Sequence, residues 1–194
     1  MVLAEIGAIS QIISALDNSM TFMEKLSASR NPFGKNDVNM AKISVADALA
    51  NAKKLMEMQY ILSFYIKLSI NSAEIWERSD KLKELIDAYI LSNGEDSLLM
   101  DNEIWHQLES KFSPIYEKSS EYVNLGLNSV PGLNTTDLAN LKNLVNQFDI
   151  HYKNADLELR SKKSLIQLKD HIDSMGKRSM DIHKLCNGNM EKPN

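Results

Sequence analysis

Little in this sequence interrupts a helix. Most of its seven glycines and four prolines fall in a few places: Pro32 with Gly34, Gly94 alone, Gly126 with Pro131 and Gly132, and Gly188 with Pro193. The segments between these points are far longer than a strand of about 5 to 6 residues, which excludes an alternating β/α pattern and predicts an all-α chain. A single cysteine, Cys186, excludes an intramolecular disulfide framework. The net charge of −4 lacks the basic excess that nucleic-acid binding normally shows. No basic region precedes the apolar residues of Met1 to Ile6, so the start is a poor Sec-type signal peptide. No internal repeat or low-complexity tract is present. No run reaches the roughly 20 apolar residues needed to span a bilayer. The localisation stays open between the cytoplasm and an export route that uses no signal peptide.

What is present is helical periodicity. Val2 to Ala28 repeats Val2, Ile6, Ile9, Ile13, Leu16, Met20 and Met23 in steps of three and four, the spacing of one face of a helix. The opposite face is Ser, Gln, Asn and Thr with few charges. Such a face suits cover by another helix or another molecule. Asn31-Pro32 and Gly34 predict a turn. Val38 to Ile70 follows, apolar on nearly every side from Leu55 onward, and predicts a buried central helix. The alternation Phe64, Ile66, Leu68, Ile70 also fits a short strand. Asn71-Ser72-Ala73-Glu74 has the order of a capping box and predicts a new helix, ending at Asn93-Gly94. A further helix is expected over Ser97 to Asn124, kinked or broken near Lys111 to Ser113 by Pro114.

The longest helical run is Thr136 to Asn187. Asn134, Thr135, Thr136 and Asp137 supply side-chain oxygens for the amides of its first turn. One stripe runs Leu138, Leu141, Val145, Phe148, Tyr152, Ala155 and Leu159, and a second runs Leu165, Leu168, Ile172, Met175, Ile182 and Cys186. The two are out of phase across Arg160 to Lys163, and one residue of slip turns a stripe by roughly 100°. A bend or a change of partner is expected there. Asn187 and Gly188 are expected to stop the helix. The prediction is an all-α, elongated helical bundle of four to five helices. Its long C-terminal helix packs on the N-terminal helices, residues 1–188 form a single domain, and 189–194 form a frayed tail.

Catalytic and metal patterns are absent or incomplete. Glu103 and His106 supply one Glu-x-x-His pair, but a di-iron bundle needs two, and Phe148, Leu168 and Met180 stand three residues before the other histidines. No His-x-x-x-His spacing offers two imidazoles on one helix face to zinc. His171 and His183 read as surface charge beside acids. Cys186 lies on an apolar stripe, where cysteine acts as a small hydrophobe. The Arg160 to Lys163 cluster reads as a solvated face near Asp156 and Glu158. There is no Gly-rich phosphate loop and no nucleophile elbow. The reading is of a non-enzyme with no catalytic, cofactor or metal residues and no small-molecule ligand. Met20, Met23, Met40, Met56, Met58 and Met100 could form an adaptable contact surface.

Asp137-Leu138-Ala139-Asn140-Leu141-Lys142-Asn143-Leu144 and Asn154-Ala155-Asp156-Leu157-Glu158-Leu159, with Asn102-Glu103-Ile104-Trp105 and Ile115-Tyr116-Glu117, follow an apolar amphipathic N-terminal helix. In this the chain resembles the small extracellular filament and needle-tip proteins of bacterial type III secretion systems. It differs in lacking a long polar N-terminal segment and in having a short tail. The resemblance implies export without a signal peptide and assembly through helices, and residues 9–21 suit such an export signal.

The expected function is therefore helix-to-helix contact with a protein partner or with further copies. The contacts would be made by Ile6, Ile9, Ile13, Leu16, Met20 and Met23 and by Leu165, Leu168, Ile172 and Met175. A membrane-active helical toxin or effector is the alternative, prompted by the first helix and Leu55 to Ile70. Against it, Lys25 is the only basic residue of that helix, where lipid-surface helices carry several. A binder of small molecules within the bundle core comes third.

Overall fold

The computed structural model describes residues 2–28, 35–93, 102–124 and 133–190. Five helices account for nearly all of them: α1 (Val2–Ala28), α2 (Lys35–Asn93), α3 (Asn102–Asn124), α4 (Thr135–Ser161) and α5 (Leu165–Met190). No strand occurs among the described residues, so Phe64 to Ile70 is helix. The chain divides into two compact units, residues 1–63 and residues 64–194.

The second unit is an up-down-up-down four-helix bundle. Its pairings fix the topology. On α2, Tyr65, Ser69, Ser79, Lys83 and Asp87 meet, in that order, Asn189, His183, Gly176, Asp173 and Lys169 of α5, so the two helices are antiparallel. Glu74 and Tyr89 of α2 reach Lys118 and Gln107 of α3. Phe112 of α3 stacks on Tyr152 of α4 with ring centroids 5.2 Å apart. His151 of α4 lies against His171 of α5. Each helix therefore runs against its sequence neighbour, and α5 closes the ring on α2. The core holds Leu68, Ile75, Leu82 and Ile86 of α2, Trp105, Leu108 and Ile115 of α3, Leu141, Phe148 and Leu159 of α4, and Leu165, Leu168, Ile172, Met175, Ile182 and Cys186 of α5. Each such Leu or Ile contributes roughly 1.5–3 kcal/mol by leaving water.

Three boundaries differ from expectation. Asn71-Ser72-Ala73-Glu74 caps nothing: α2 is continuous through it, Asn71 and Ser72 are buried, and the Ser72 hydroxyl donates back to the Leu68 carbonyl at 2.6 Å. A serine that satisfies itself on the preceding turn has no need to end the helix. Pro114 does not break α3, because Phe112 and Ile115 on either side of it are buried and hold the backbone helical. Gly188 lies inside α5, which continues to Met190. The turn expected at Asn31-Pro32 and Gly34, the stop at Gly94, residues 97–101, the loop residues 126–132 and the tail residues 191–194 lie outside the described residues.

The phase slip at Arg160 to Lys163 is a reversal of the chain. Asn134 caps α4, its Oδ1 accepting from the Thr136 amide at 2.8 Å. At the other end Lys162 takes the left-handed conformation (φ 53°, ψ 33°) and its amide donates to the Glu158 carbonyl at 2.8 Å. Ser164 then opens α5, its hydroxyl accepting from the Gln167 amide at 3.2 Å. The connection leaves α4 and α5 side by side as an antiparallel hairpin.

In the first unit, α1 and residues 35–63 of α2 bury very little. Ile9, Ile13, Leu16, Met20 and Met23 of α1 are half-buried, and on α2 only Val38 (8% exposed) and Ala52 (7%) are buried among the described residues.

Candidate interaction surface

The two stripes expected to make contacts have different fates. Ile9, Ile13, Leu16, Met20 and Met23 face inward in a unit whose only other described helix is α2, and each keeps part of its surface. The side chain of Ile6 lies outside the described residues. Leu165, Leu168, Ile172 and Met175 are not a contact stripe: all four are at most 1% exposed in the core of the second unit. The half-helix expected to be free for another molecule folds back on α4 and packs on α2, because its connection to α4 is only a few residues long.

The apolar surface instead lies on α2, where the sequence suggested burial. Met40 is 73% and Ile43 63% exposed, and Leu55, Met58 and Leu62 are also exposed. A helix advances about 100° per residue, which places these five within an arc of about 120°. Val38 and Ala52, with half-buried Val45, Leu49 and Met56, occupy the other side. This part of α2 therefore carries large apolar side chains on two opposing faces, the outer one interrupted by Asp47, Asn51 and Lys54. A helix apolar all round is one that neighbours cover, and the first unit covers only one face. Exposed Ile12 and Phe22 of α1 add to the apolar surface of the unit.

The remaining candidate residues are accounted for in the bundle. His106 pairs with Glu109 at 3.4 Å, both largely solvated. Arg160 pairs with Asp156 at 2.9 Å, and the Lys162 ammonium donates to Asn102 Oδ1 at 3.0 Å. Cys186 is fully buried, and burial pushes its thiol up to about 12, so it is not a nucleophile at neutral pH. Among the described residues no group of three or more His, Cys, Asp or Glu could hold a metal ion. No described helix is long and apolar enough to cross a membrane. A groove of about 650 Å³ between α2 and α3 is lined by residues of both charges, Glu74, Glu77, Arg78, Lys81 and Lys111, together with Leu82 and Pro114.

His183 is not surface charge. Its Nδ1–H reaches Ser69 Oγ at 2.9 Å, the Ser69 hydroxyl donates to Asn187 Oδ1 at 2.8 Å, and the Asn187 amide donates to His183 Nε2 at 3.0 Å. The three close a ring in which each donor has an acceptor, and this assigns the neutral Nδ1–H tautomer. The ring clasps α5 to α2. The spacing of His183 and Asn187, four residues apart, was the available sign in the sequence. No family model, curated protein or solved structure matches the chain.

Proposed function

We propose that this protein works without catalysis, by helix-to-helix contact through its first unit, with the bundle of residues 64–194 as a stable carrier. The observation that supports this is the uncovered stripe of Met40, Ile43, Leu55, Met58 and Leu62 on the side of α2 opposite Val38 and Ala52. Exposed apolar side chains gathered on one helix face in this way point to an interaction site. The likeness of residues 137–144 and 154–159 to type III filament and needle-tip proteins supports a concrete form: a component of a secretion apparatus.

The test is a photoreactive amino acid at position 58 in the cells that make the protein. Crosslinks to a protein are expected there, and none at the exposed control position Lys153 of α4. A full-length chain with no protein crosslink at position 58 removes the reading. The secretion form further requires the chain to appear outside cells when a type III apparatus is active, and retention would remove that form alone.

A further inference from the structure

We infer that the stripe on α2 pairs with the same stripe of a second copy, antiparallel, about a two-fold axis beside Asn51. This rests on the interaction reading above and names the partner.

The polar residues inside the stripe carry the argument. Asp47, Asn51 and Lys54 are exposed and lie in the same arc as the apolar five. About an axis beside Asn51, residues at equal distances on either side, or within one residue of equal, come together. Met40 then meets Leu62 of the second copy, Ile43 meets Met58, and Asp47 meets Lys54. Because a two-fold contact is self-complementary, every pairing occurs twice, and Asn51 meets its own equivalent. The parallel arrangement sets Asp47 beside Asp47 and Lys54 beside Lys54, which repel. Opposite charges across the interface thus select the antiparallel register.

The charge of the unit agrees. Residues 1–63 hold six acidic and six basic side chains, so the whole net charge of −4 (16 basic against 20 acidic) lies in residues 64–194. A neutral unit meets its copy without net repulsion. The area is also sufficient. The five apolar side chains expose roughly 500 Å² per copy, so the pair buries on the order of 1,000 Å², the lower bound for a specific interface.

The experiment uses the purified full chain. Sedimentation equilibrium should show a reversible dimer at micromolar concentration. Asp47→Lys, on an exposed position that leaves helicity by circular dichroism unchanged, should weaken the dimer at least about tenfold, and adding Lys54→Asp should restore it. Asn51→Cys should join to its own copy with a short thiol–thiol crosslinker, whereas Ser14→Cys on α1 should not. Buried Cys186 leaves the wild-type chain unreactive as a control. A dimer indifferent to Asp47→Lys, or failure of Asn51→Cys to crosslink, overturns the register. A monomeric pure chain whose position 58 still crosslinks to a different protein in cells overturns the second copy and leaves the interaction reading standing. A monomer with no crosslink at position 58 overturns both.

Discussion

His151 and His171 face each other between α4 and α5 with ring centroids 5.9 Å apart and planes tilted by 40°. The Nδ1 atom of His151 is buried and has no hydrogen-bond partner. Burial, first, and then the nearby His171 and the Arg178 guanidinium hold its proton affinity below that of a free imidazole. The folded protein thus keeps His151 neutral at a pH where the unfolded chain protonates it.

Acid should therefore weaken the bundle. With a folded value below the ordinary 6.5, the unfolded state binds more protons as the pH falls through that value, and stability declines with it. Urea midpoints at pH 7 and pH 5 should differ more for the wild type than for His151→Gln. Equal pH dependence in the two proteins would refute this role for His151.

The clasp of Ser69, His183 and Asn187 should be costly to open. Asn187→Ala leaves the Ser69 donor and the His183 Nε2 acceptor without partners in a part-buried site, an expected loss of about 1–3 kcal/mol. Lys184→Ala, on an exposed neighbouring position, should change stability by less than about 0.5 kcal/mol. Chemical denaturation of the two variants measures the contrast.

Gly176 marks a close approach of α5 to α2. A Cβ added there would meet Ser79 Cβ at 3.0 Å, and that atom is fixed to the backbone of a helix. Gly176→Leu should overpack the contact and cost about 1–3 kcal/mol. Gly176→Ala combined with Ser79→Gly should recover a good part of what Gly176→Ala loses alone. Thermal unfolding of the single and double variants gives the comparison.

Lys162 is the one described non-glycine residue with positive φ. Glycine adopts that conformation without steric strain, and the lysine's bond to Asn102 is solvent-exposed. Lys162→Gly is expected to stabilise the protein by about 0.5 kcal/mol. A lower melting temperature would show that the hydrogen bond outweighs the backbone strain.

Much of the bundle was legible in the sequence. The caps at Asn134 announced α4, and the phase slip at Arg160 to Lys163 located a break that the structure resolves as a reversal. The motif at Asn71 misled because a polar residue that could cap also fits a helix interior when its hydroxyl returns to the preceding turn, as Ser72 does. Leu55 to Leu62 misled for a different reason. Apolar character says that a side chain favours cover, not that its own chain supplies it, and in this chain the cover begins at Phe64. Leu165 to Met175 show the reverse. There the periodicity showed a face to be buried without showing that α2 and α4 would bury it.

The few-residue turn at Lys162 also bears on how the bundle assembles. Contacts between α4 and α5 join residues near one another in the chain, such as His151 and His171, whereas Ser69 and His183 are separated by 114 positions. Closing a short loop costs less chain entropy than closing a long one. The α4–α5 hairpin can therefore form first and offer α2 a ready surface, so the rate at which the bundle folds should be most sensitive to substitutions between these last two helices.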